Sequence, residues 1–158
     1  MALSIRVAQL SDADDIARLT TQLGYNVPQS AVATRLSRIL SRQDQQFLVA
    51  DLDGRPVGWV HTAISEYIEA EAFVVIAGLV VDKNQRRKGI GRTLMEEAEE
   101  WARKRGCSVV RLWSSSVRAD AHRFYRALGY TNIKTQYSFI KPLDADLQDH
   151  LSQFVPMS

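Results

Sequence analysis

Four basic residues and two glycines lie together in residues 86–92, which read Arg-Arg-Lys-Gly-Ile-Gly-Arg. The segment follows a nearly unbroken apolar, β-branched run over residues 73–81 and precedes an amphipathic, helix-forming stretch. The first amide groups of a helix have no partner inside the helix, and the helix dipole favours negative charge at that end. Gly89 and Gly91 let a ligand approach the backbone, and the basic side chains add positive charge. The segment therefore predicts a cradle for phosphate groups.

Two common phosphate-binding loops do not fit this segment. It lacks the terminal Gly-Lys-Ser/Thr of the Walker A loop, and it lacks the Gly-x-Gly-x-x-Gly of dinucleotide-binding turns. From the residues alone, a solvated basic helix start without a ligand stays open as the other interpretation.

The elements that would position the cradle are strands that alternate with helices. Strands are predicted over residues 5–8, 47–50, 57–64, 73–81 and 109–113, and one or two more over 130–140. The strand over 109–113 is expected to be buried. Helices are predicted after Ser11, over residues 29–41, after Gly89 and before Gly129. Gly78 interrupts the run over 73–81, which predicts a bulge or a close backbone approach. This alternation over one core indicates an α/β or α+β sandwich.

The composition narrows the class of protein. A chain of 158 residues with 46% apolar residues can form one domain without disulfides or metals. A net charge of +2 is too small to indicate a nucleic-acid partner. Cys107 is the single cysteine, so no internal disulfide can form. Since no apolar stretch reaches about 20 residues and no secretory signal pattern is present, a cytoplasmic protein without a membrane partner is predicted.

A second motif lies in residues 118–130, which read Arg-Ala-Asp-Ala-His-Arg-Phe-Tyr-Arg-Ala-Leu-Gly-Tyr. The two motifs together resemble the GNAT superfamily of N-acetyltransferases. Residues 86–91 match its hallmark Gln/Arg-x-x-Gly-x-Gly/Ala, and residues 118–130 match its later helix with Phe-Tyr before Gly-Tyr. The resemblance covers residues 5–143, and with Phe-Ile-Lys-Pro-Leu at 139–143 the chain is most similar to bacterial small-amine acetyltransferases, including aminoalkylphosphonate N-acetyltransferases.

The resemblance implies an α/β (α+β) fold with a mixed, mostly antiparallel central sheet of six to seven strands and about four helices on its two faces. It implies one domain over residues 1–143, with residues 144–158 as an extension packed on it or frayed. It also implies acetyl-CoA as co-substrate, with its pyrophosphate on the loop amides and its pantetheine arm beside the preceding strand. The expected cofactor-binding residues are Leu79, Val80, Val81, Arg86, Arg87, Lys88, Gly89, Ile90, Gly91, Arg92 and Arg118.

One of these residues departs from the family pattern. Arg118 stands where the family often has an Asn that contacts the pantetheine arm. An arginine donates hydrogen bonds but cannot accept them. A CoA phosphate or an anionic substrate is therefore the alternative partner for Arg118.

Tyr125 is the expected catalytic residue. When an amine attacks a thioester, the leaving group is a thiolate, and a phenol with a pKa near ~10 is protonated at neutral pH and can supply a proton. A core tyrosine on the apolar face of the helix is the alternative, and the resemblance favours the acid role. An amide freed by a bulge near Gly78 and Leu79 is expected to stabilise the oxyanion.

The proton acceptor stays open. Many relatives place a Glu on the fourth strand, but residues 73–81 contain no carboxylate. A neutral amine is needed for attack, so some group must accept its proton, directly or through water. The candidates are water, His61, Glu66, Glu69, Glu71 and His122.

These features predict an N-acetyltransferase that moves acetyl from acetyl-CoA to a primary amine of a small molecule by direct attack in a ternary complex. The alternative is a non-catalytic CoA-binding sensor or regulatory module, which the missing strand carboxylate favours and Tyr125 disfavours. Neither a metal nor a nucleic acid is expected, and the resemblance implies a homodimer. Aminoalkylphosphonates, aminoglycosides, polyamines and peptide N-termini all stay open as acceptors.

Overall fold

One five-stranded sheet forms the centre of the fold. The computed structural model describes residues 2–144, 151, 153 and 154. The strands are β1 (Leu3–Val7), β2 (Gln45–Leu52), β3 (Arg55–Tyr67), β4 (Ala70–Val81) and β5 (Val110–Arg111), and they neighbour one another in this order. The first four are antiparallel to their neighbours, and β5 runs parallel to β4. The mixed, mostly antiparallel sheet is therefore confirmed.

The helices cover both faces of this sheet. They are α1 (Ala13–Gln22), α2 (Gln29–Leu40), α3 (Ile90–Lys104) and α4 (Ala119–Ala127). Successive residues of a strand point to opposite faces. Phe47 accordingly packs with α1 and α2, whereas Leu48 packs with α3 and with apolar residues of α4. The expected helices on two faces are confirmed.

The sheet is smaller than expected at its β5 side. Within the described chain, residues 130–140 form no strand, so the sheet has five strands instead of six or seven. Only two residues of the strand predicted over 109–113 pair with β4, and Val109 and Trp113 are half exposed, which makes the predicted burial of this strand wrong. The apolar alternation in 130–140 suits a strand, but a strand forms only where a neighbour satisfies its backbone groups.

A bulge interrupts β4 near its middle. His61 of β3 pairs with Gly78, and Thr62 pairs with Ile76, so Ala77 is the extra residue. The indole of Trp59 lies against Gly78, where an added Cβ would be 2.6 Å from Trp59 Cζ3. The bulge and the close approach predicted at Gly78 are therefore both present, and glycine leaves the room for the ring.

The predicted extension over residues 144–158 falls mostly outside the described residues. Of its described part, Gln153 accepts a hydrogen bond of 3.5 Å from Arg35 on α2. Across the described chain, the helices are too short or too polar to cross a lipid bilayer.

Candidate active site

The turn between β4 and α3 presents unpaired backbone amides to solvent. Arg87 and Gly89 have left-handed backbone conformations, with φ of 63° and 82°, and Gly89 is the N-cap of α3. Within the described chain, no protein group accepts a hydrogen bond from the N–H groups of residues 86–92. Right- and left-handed residues in succession curl the amides into an anion-binding concavity. The turn therefore has the free donors that a phosphate cradle requires.

The cations of the turn are exposed and loosely held. Lys88 Nζ donates to Gln85 Oε1 at 2.8 Å, and Arg92 Nε donates to Glu96 at 3.1 Å. Exposed pairs of this kind contribute little to stability. These side chains can therefore turn to an incoming phosphate at small cost.

A buried carboxylate fastens the turn to α1. Asp82 is 7% exposed and accepts hydrogen bonds from the Asn84 amide at 3.1 Å and from Arg18 at 2.9 Å. The Asn84 amide and the Arg18 guanidinium hold the pKa of the Asp82 carboxyl below its usual value. Gln22 of α1 accepts a further bond from the Lys83 amide at 2.8 Å. The first turn after β4 is thus fixed by two residues of α1.

The edge of β4 that leads to this turn is open. β5 pairs only with Val74 and Val75, and no described strand pairs with residues 76–81 on that side. Leu79 and Val81 face the cluster under α3, and Val80 packs on the opposite face. An extended ligand arm can therefore lie along this edge of the sheet.

Tyr125 lies half-buried on α4, beside the cluster that contains Leu79 and Val81. Burial raises the pKa of the Tyr125 phenol above its ordinary value, and the charge of Arg118 partly opposes this shift. The phenol is therefore protonated at neutral pH, as a proton donor to a leaving thiolate must be. Arg118, the exposed N-cap of α4, precedes Tyr125 by seven residues, which is about two helical turns.

The structure brings the two sequence motifs into contact. Gly91, in the first turn of α3, has no side chain, and a Cβ added there would lie 3.1 Å from Cζ of Phe124. Phe124 in turn contacts Tyr125, with ring centroids 5.2 Å apart. The amide-lined turn and the helix that carries Tyr125 therefore adjoin.

A hydrogen bond from the last residue of the second motif to α3 supports the loop after α4. The Tyr130 hydroxyl donates to Glu99 of α3 at 2.7 Å, and the Tyr130 amide donates to the Tyr125 carbonyl at 3.0 Å. Burial and the neighbouring Glu99 carboxylate raise the pKa of the Tyr130 phenol. Tyr130 thus ties the end of α4 to α3.

The candidate proton acceptors are widely separated. His61 pairs with Gly78 at the bulge. Glu66, Glu69 and Glu71 are exposed around the turn that joins β3 to β4, at least about 16 Å along the strands from the bulge at 3.3 Å per residue. The ring of His122 lies on α4 with Nε2 2.8 Å from the Ser115 carbonyl.

Sequence reasoning missed three polar contacts that shape this region. They join Arg18 to Asp82, Tyr130 to Glu99 and His61 to Gln45. Their partners are 64, 31 and 16 positions apart in the chain. No local pattern relates residues at such separations, so only the strand register and the helix packing could have found them.

Comparisons with known proteins agree on one family. Residues 12–130 match the model of the Acetyltransferase (GNAT) family. An aminoglycoside N(6')-acetyltransferase type 1 of Klebsiella aerogenes is 29% identical over 118 residues, which are 73% of this chain and 78% of that protein. The solved structure of AAC(6')-Iy with the bisubstrate analogue CoA-S-monomethyl-acetylneamine has a TM-score of 0.81 at 20% identity, and the likeness covers 90% of this chain and 99% of that chain. The likeness confirms the expected fold class.

A third relative is longer than this chain. An uncharacterised N-acetyltransferase of Methanocaldococcus jannaschii is 34% identical over 94 residues, which are 58% of this chain. The match spans 42% of that protein's length. The shared segment is therefore one part of this longer relative.

Proposed function

Because the chain belongs to the GNAT family of acetyl-CoA-dependent N-acetyltransferases, we propose that it transfers acetyl to a primary amine of a small molecule by direct attack in a ternary complex. The observation that carries this proposal is the contact of Gly91 with Phe124, which joins the amide-lined turn to the helix of Tyr125. The binding determinants of the donor and a proton source for its leaving group thus adjoin. Cys107 lies in a separate apolar cluster, so the proposed transfer uses no cysteine nucleophile.

The residues of the turn and of β4 fit the acetyl donor. Its pyrophosphate would accept hydrogen bonds from the free amides of residues 86–92, and the exposed cations there would balance its charge. Its pantetheine arm would lie along the open edge of β4 at Leu79, Val80 and Val81. Arg118, at the start of the helix that carries Tyr125, would meet either a CoA phosphate or an anionic part of the acceptor.

The chemistry follows from the charges that develop during transfer. The amine nitrogen bonds to the thioester carbonyl carbon, and the negative charge that forms on oxygen needs a donor aimed at it. Ala77 has no register partner on β3, and the donor proposed for this charge is a backbone amide beside the bulge, at Gly78 or Leu79. As the carbon–sulfur bond breaks, Tyr125 gives its proton to the departing sulfur.

The class of acceptor is proposed from two relatives whose names give aminoglycosides, which are amines of small molecules. The aminoalkylphosphonate class expected from the second motif stays a prediction. An acetylation screen of aminoglycosides, aminoalkylphosphonates, polyamines and peptide N-termini, read as release of free CoA thiol, tests the proposal. Tight acetyl-CoA binding without thiol release for any amine would instead favour the sensor, which the lack of a carboxylate in residues 73–81 supports.

Tyr125→Phe tests the acid role within this function. We expect turnover to fall by about 10²–10⁴-fold, the usual contribution of a general acid, with acetyl-CoA affinity kept within about twofold because the turn is untouched. Tyr67→Phe is the matched control, since Tyr67 is 45% exposed near the turn that joins β3 to β4. Full turnover in Tyr125→Phe would exclude the acid role.

A homodimer is also proposed, with support from an unpaired segment. Residues 131–140 are all exposed, and Ile133, Tyr137 and Phe139 are 72%, 91% and 91% exposed on alternate positions. β5 is the last strand of the described sheet, so its outer edge is open. In a symmetric dimer, residues 131–140 of each copy would pair with the open edge of β5 in the other copy. Sedimentation equilibrium decides between monomer and dimer.

Two expectations about the whole protein stay proposals. One is the division into a domain over residues 1–143 and an extension over 144–158. The other is the cytoplasm as its compartment, which the single, unpaired and buried Cys107 supports.

A further inference from the structure

The bulge in β4 places one titratable side chain opposite the interrupted part of the ladder. His61 of β3 pairs with Gly78, next to the extra residue Ala77. Paired residues of antiparallel strands have Cα atoms about 4.5–5.5 Å apart. Across the paired stretches 58–64 of β3 and 74–81 of β4, His61 is the only titratable residue. Ala77 is exposed and offers only a methyl group.

Gln45 on β2 sets the tautomer of this histidine. Its Oε1 lies 2.8 Å from His61 Nε2, and the ring of Phe47 packs against the imidazole with centroids 5.5 Å apart. An amide oxygen only accepts hydrogen bonds, so Nε2 carries the proton of the neutral ring. Nδ1 then holds the lone pair, and no described residue donates to it. The histidine is thus held in the form that has Nδ1 free to accept a proton.

The surroundings of His61 keep the ring neutral. β2 presents Gln45 and Phe47 to it and β4 presents Gly78, none of which carries a charge. The helices α1 and α2 contribute apolar side chains to the cluster around Phe47. Burial lowers the pKa of His61 and no charged group contributes to the shift. At pH 7 the imidazole is therefore uncharged and able to act as a base.

We propose that His61 is the general base of the transfer, and that Gln45 is the positioning residue that keeps its Nδ1 unprotonated. This inference rests on the acetyl transfer proposed above. The strand register selects His61 as the proton acceptor, whereas residue type alone left water and five side chains as candidates.

His61 packs on Phe47 at the face of the sheet that α1 and α2 cover, opposite the face of Tyr125, so the acceptor approaches from the face of α1 and α2. It arrives as an ammonium ion and loses its first proton to Nδ1 of His61, directly or through one water. The freed amine then forms the bond to the carbonyl carbon. The carbon–sulfur bond breaks and the sulfur takes the phenolic proton of Tyr125. The second proton of the nitrogen restores the phenol through solvent, and the imidazolium releases its proton to solvent. The net products are the acetamide, CoA thiol and one proton.

His61→Asn and Gln45→Glu test this assignment through the pH profile of kcat/KM. In the wild type, we expect an acid limb below pH 6.5, since the ring must be neutral to accept a proton and burial lowers its pKa. His61→Asn is expected to lose that limb and about 10²–10⁴-fold in kcat/KM, with acetyl-CoA affinity within about twofold. Gln45→Glu places a carboxylate beside the Nε2–H group, which raises the pKa of His61 and moves the limb up by about one to three pH units.

His122→Asn is the matched control, because the ring of His122 is bonded to the Ser115 carbonyl and not to a group of the sheet, and this variant is expected to keep the acid limb. Nitrogen-15 NMR of the imidazole gives a second readout, with the Nε2–H tautomer in the wild type and a higher pKa in Gln45→Glu. If the wild type acetylates amines and His61→Asn keeps both the rate and the acid limb, His61 is not the general base, and the proposed function still holds. A limb that stays fixed in Gln45→Glu while the NMR pKa rises would also overturn the base. A wild type that acetylates no amine would instead remove the proposed function, and the base with it.

Discussion

Replacing Gly78 by alanine would place a methyl group closer to the Trp59 indole than van der Waals contact allows. The added Cβ would lie 2.6 Å from Cζ3 and 2.7 Å from Cη2 of that ring, whereas carbon atoms in contact are about 3.5–4.0 Å apart. Either the ring or β4 must therefore move by about 1 Å. Trp59 has little room to move, because it is 7% exposed and stacks on Phe47 with centroids 5.0 Å apart.

We expect Gly78→Ala to lower the free energy of unfolding by about 2–3 kcal/mol. Overpacking of a filled core costs about 1–3 kcal/mol, and the upper part applies because the clash is with a rigid ring held on its other side. For a domain of this size, ~1 kcal/mol lowers Tm by about 2–4 °C, so the expected decrease in Tm is about 4–12 °C.

Urea unfolding of a double-mutant cycle with Trp59→Phe measures this clash. Phenylalanine is smaller than the indole, and the change also removes an indole N–H that has no hydrogen-bond partner within the described chain. The alanine should then cost at least about 1 kcal/mol less in the Trp59→Phe background than in the wild type. Additivity within about 0.5 kcal/mol would refute the clash as the reason for glycine at this position.

Two further predictions concern buried carboxylates. Arg6 and the Gln9 amide hold the pKa of Asp12 below its usual value, so its stabilisation is complete above about pH 4 and is lost as the pH falls through the folded-state pKa. Asp12→Asn should therefore lower the free energy of urea unfolding by about 2 kcal/mol at pH 7 and by less at pH 3, and equal losses at both pH values would contradict this. Asp82→Ala removes the contact that holds the turn to Arg18. It should raise the Kd of acetyl-CoA, measured by calorimetry, about tenfold and change kcat by no more than about threefold. Unchanged affinity would show that other groups hold the turn.

The parts of the fold that the sequence predicts are those with a local pattern. Helix α2 (Gln29–Leu40) ends one residue before the predicted boundary, because its apolar spacing marks one helical face. Gly78 predicted the bulge correctly. A glycine inside an apolar strand often marks a position where a side chain would not fit, and here the Trp59 ring fills that space. The free amides at the start of α3 were also predictable, since they follow from the helix start itself, whereas their binding of a phosphate stays a prediction.

The parts that were not predictable depend on which segments pair. Residues 130–140 have the alternation of a strand, but alternation does not specify a neighbour, and the described chain provides none. His61 and Glu66 are equal candidates for a base by residue type. The register of β3 on β4 distinguishes them, because it places His61 opposite the bulge and Glu66 near the turn that joins β3 to β4. That register follows from the whole sheet and not from the residues beside either candidate.

The proposed function gives two tasks to the backbone of β4 and the turn that follows it, and the two regions are held by different parts of the fold. Gly78 is held from one face by Trp59, whereas Asp82, four residues later, is held by α1 through Arg18. A shift at the bulge should therefore misplace the donor for the oxyanion without opening the phosphate turn. We expect Gly78→Ala to lower kcat at least about tenfold with acetyl-CoA affinity kept, the reverse of Asp82→Ala. If both parameters fell together in each variant, β4 would be responding as one rigid unit, and the bulge would have no separate part in catalysis.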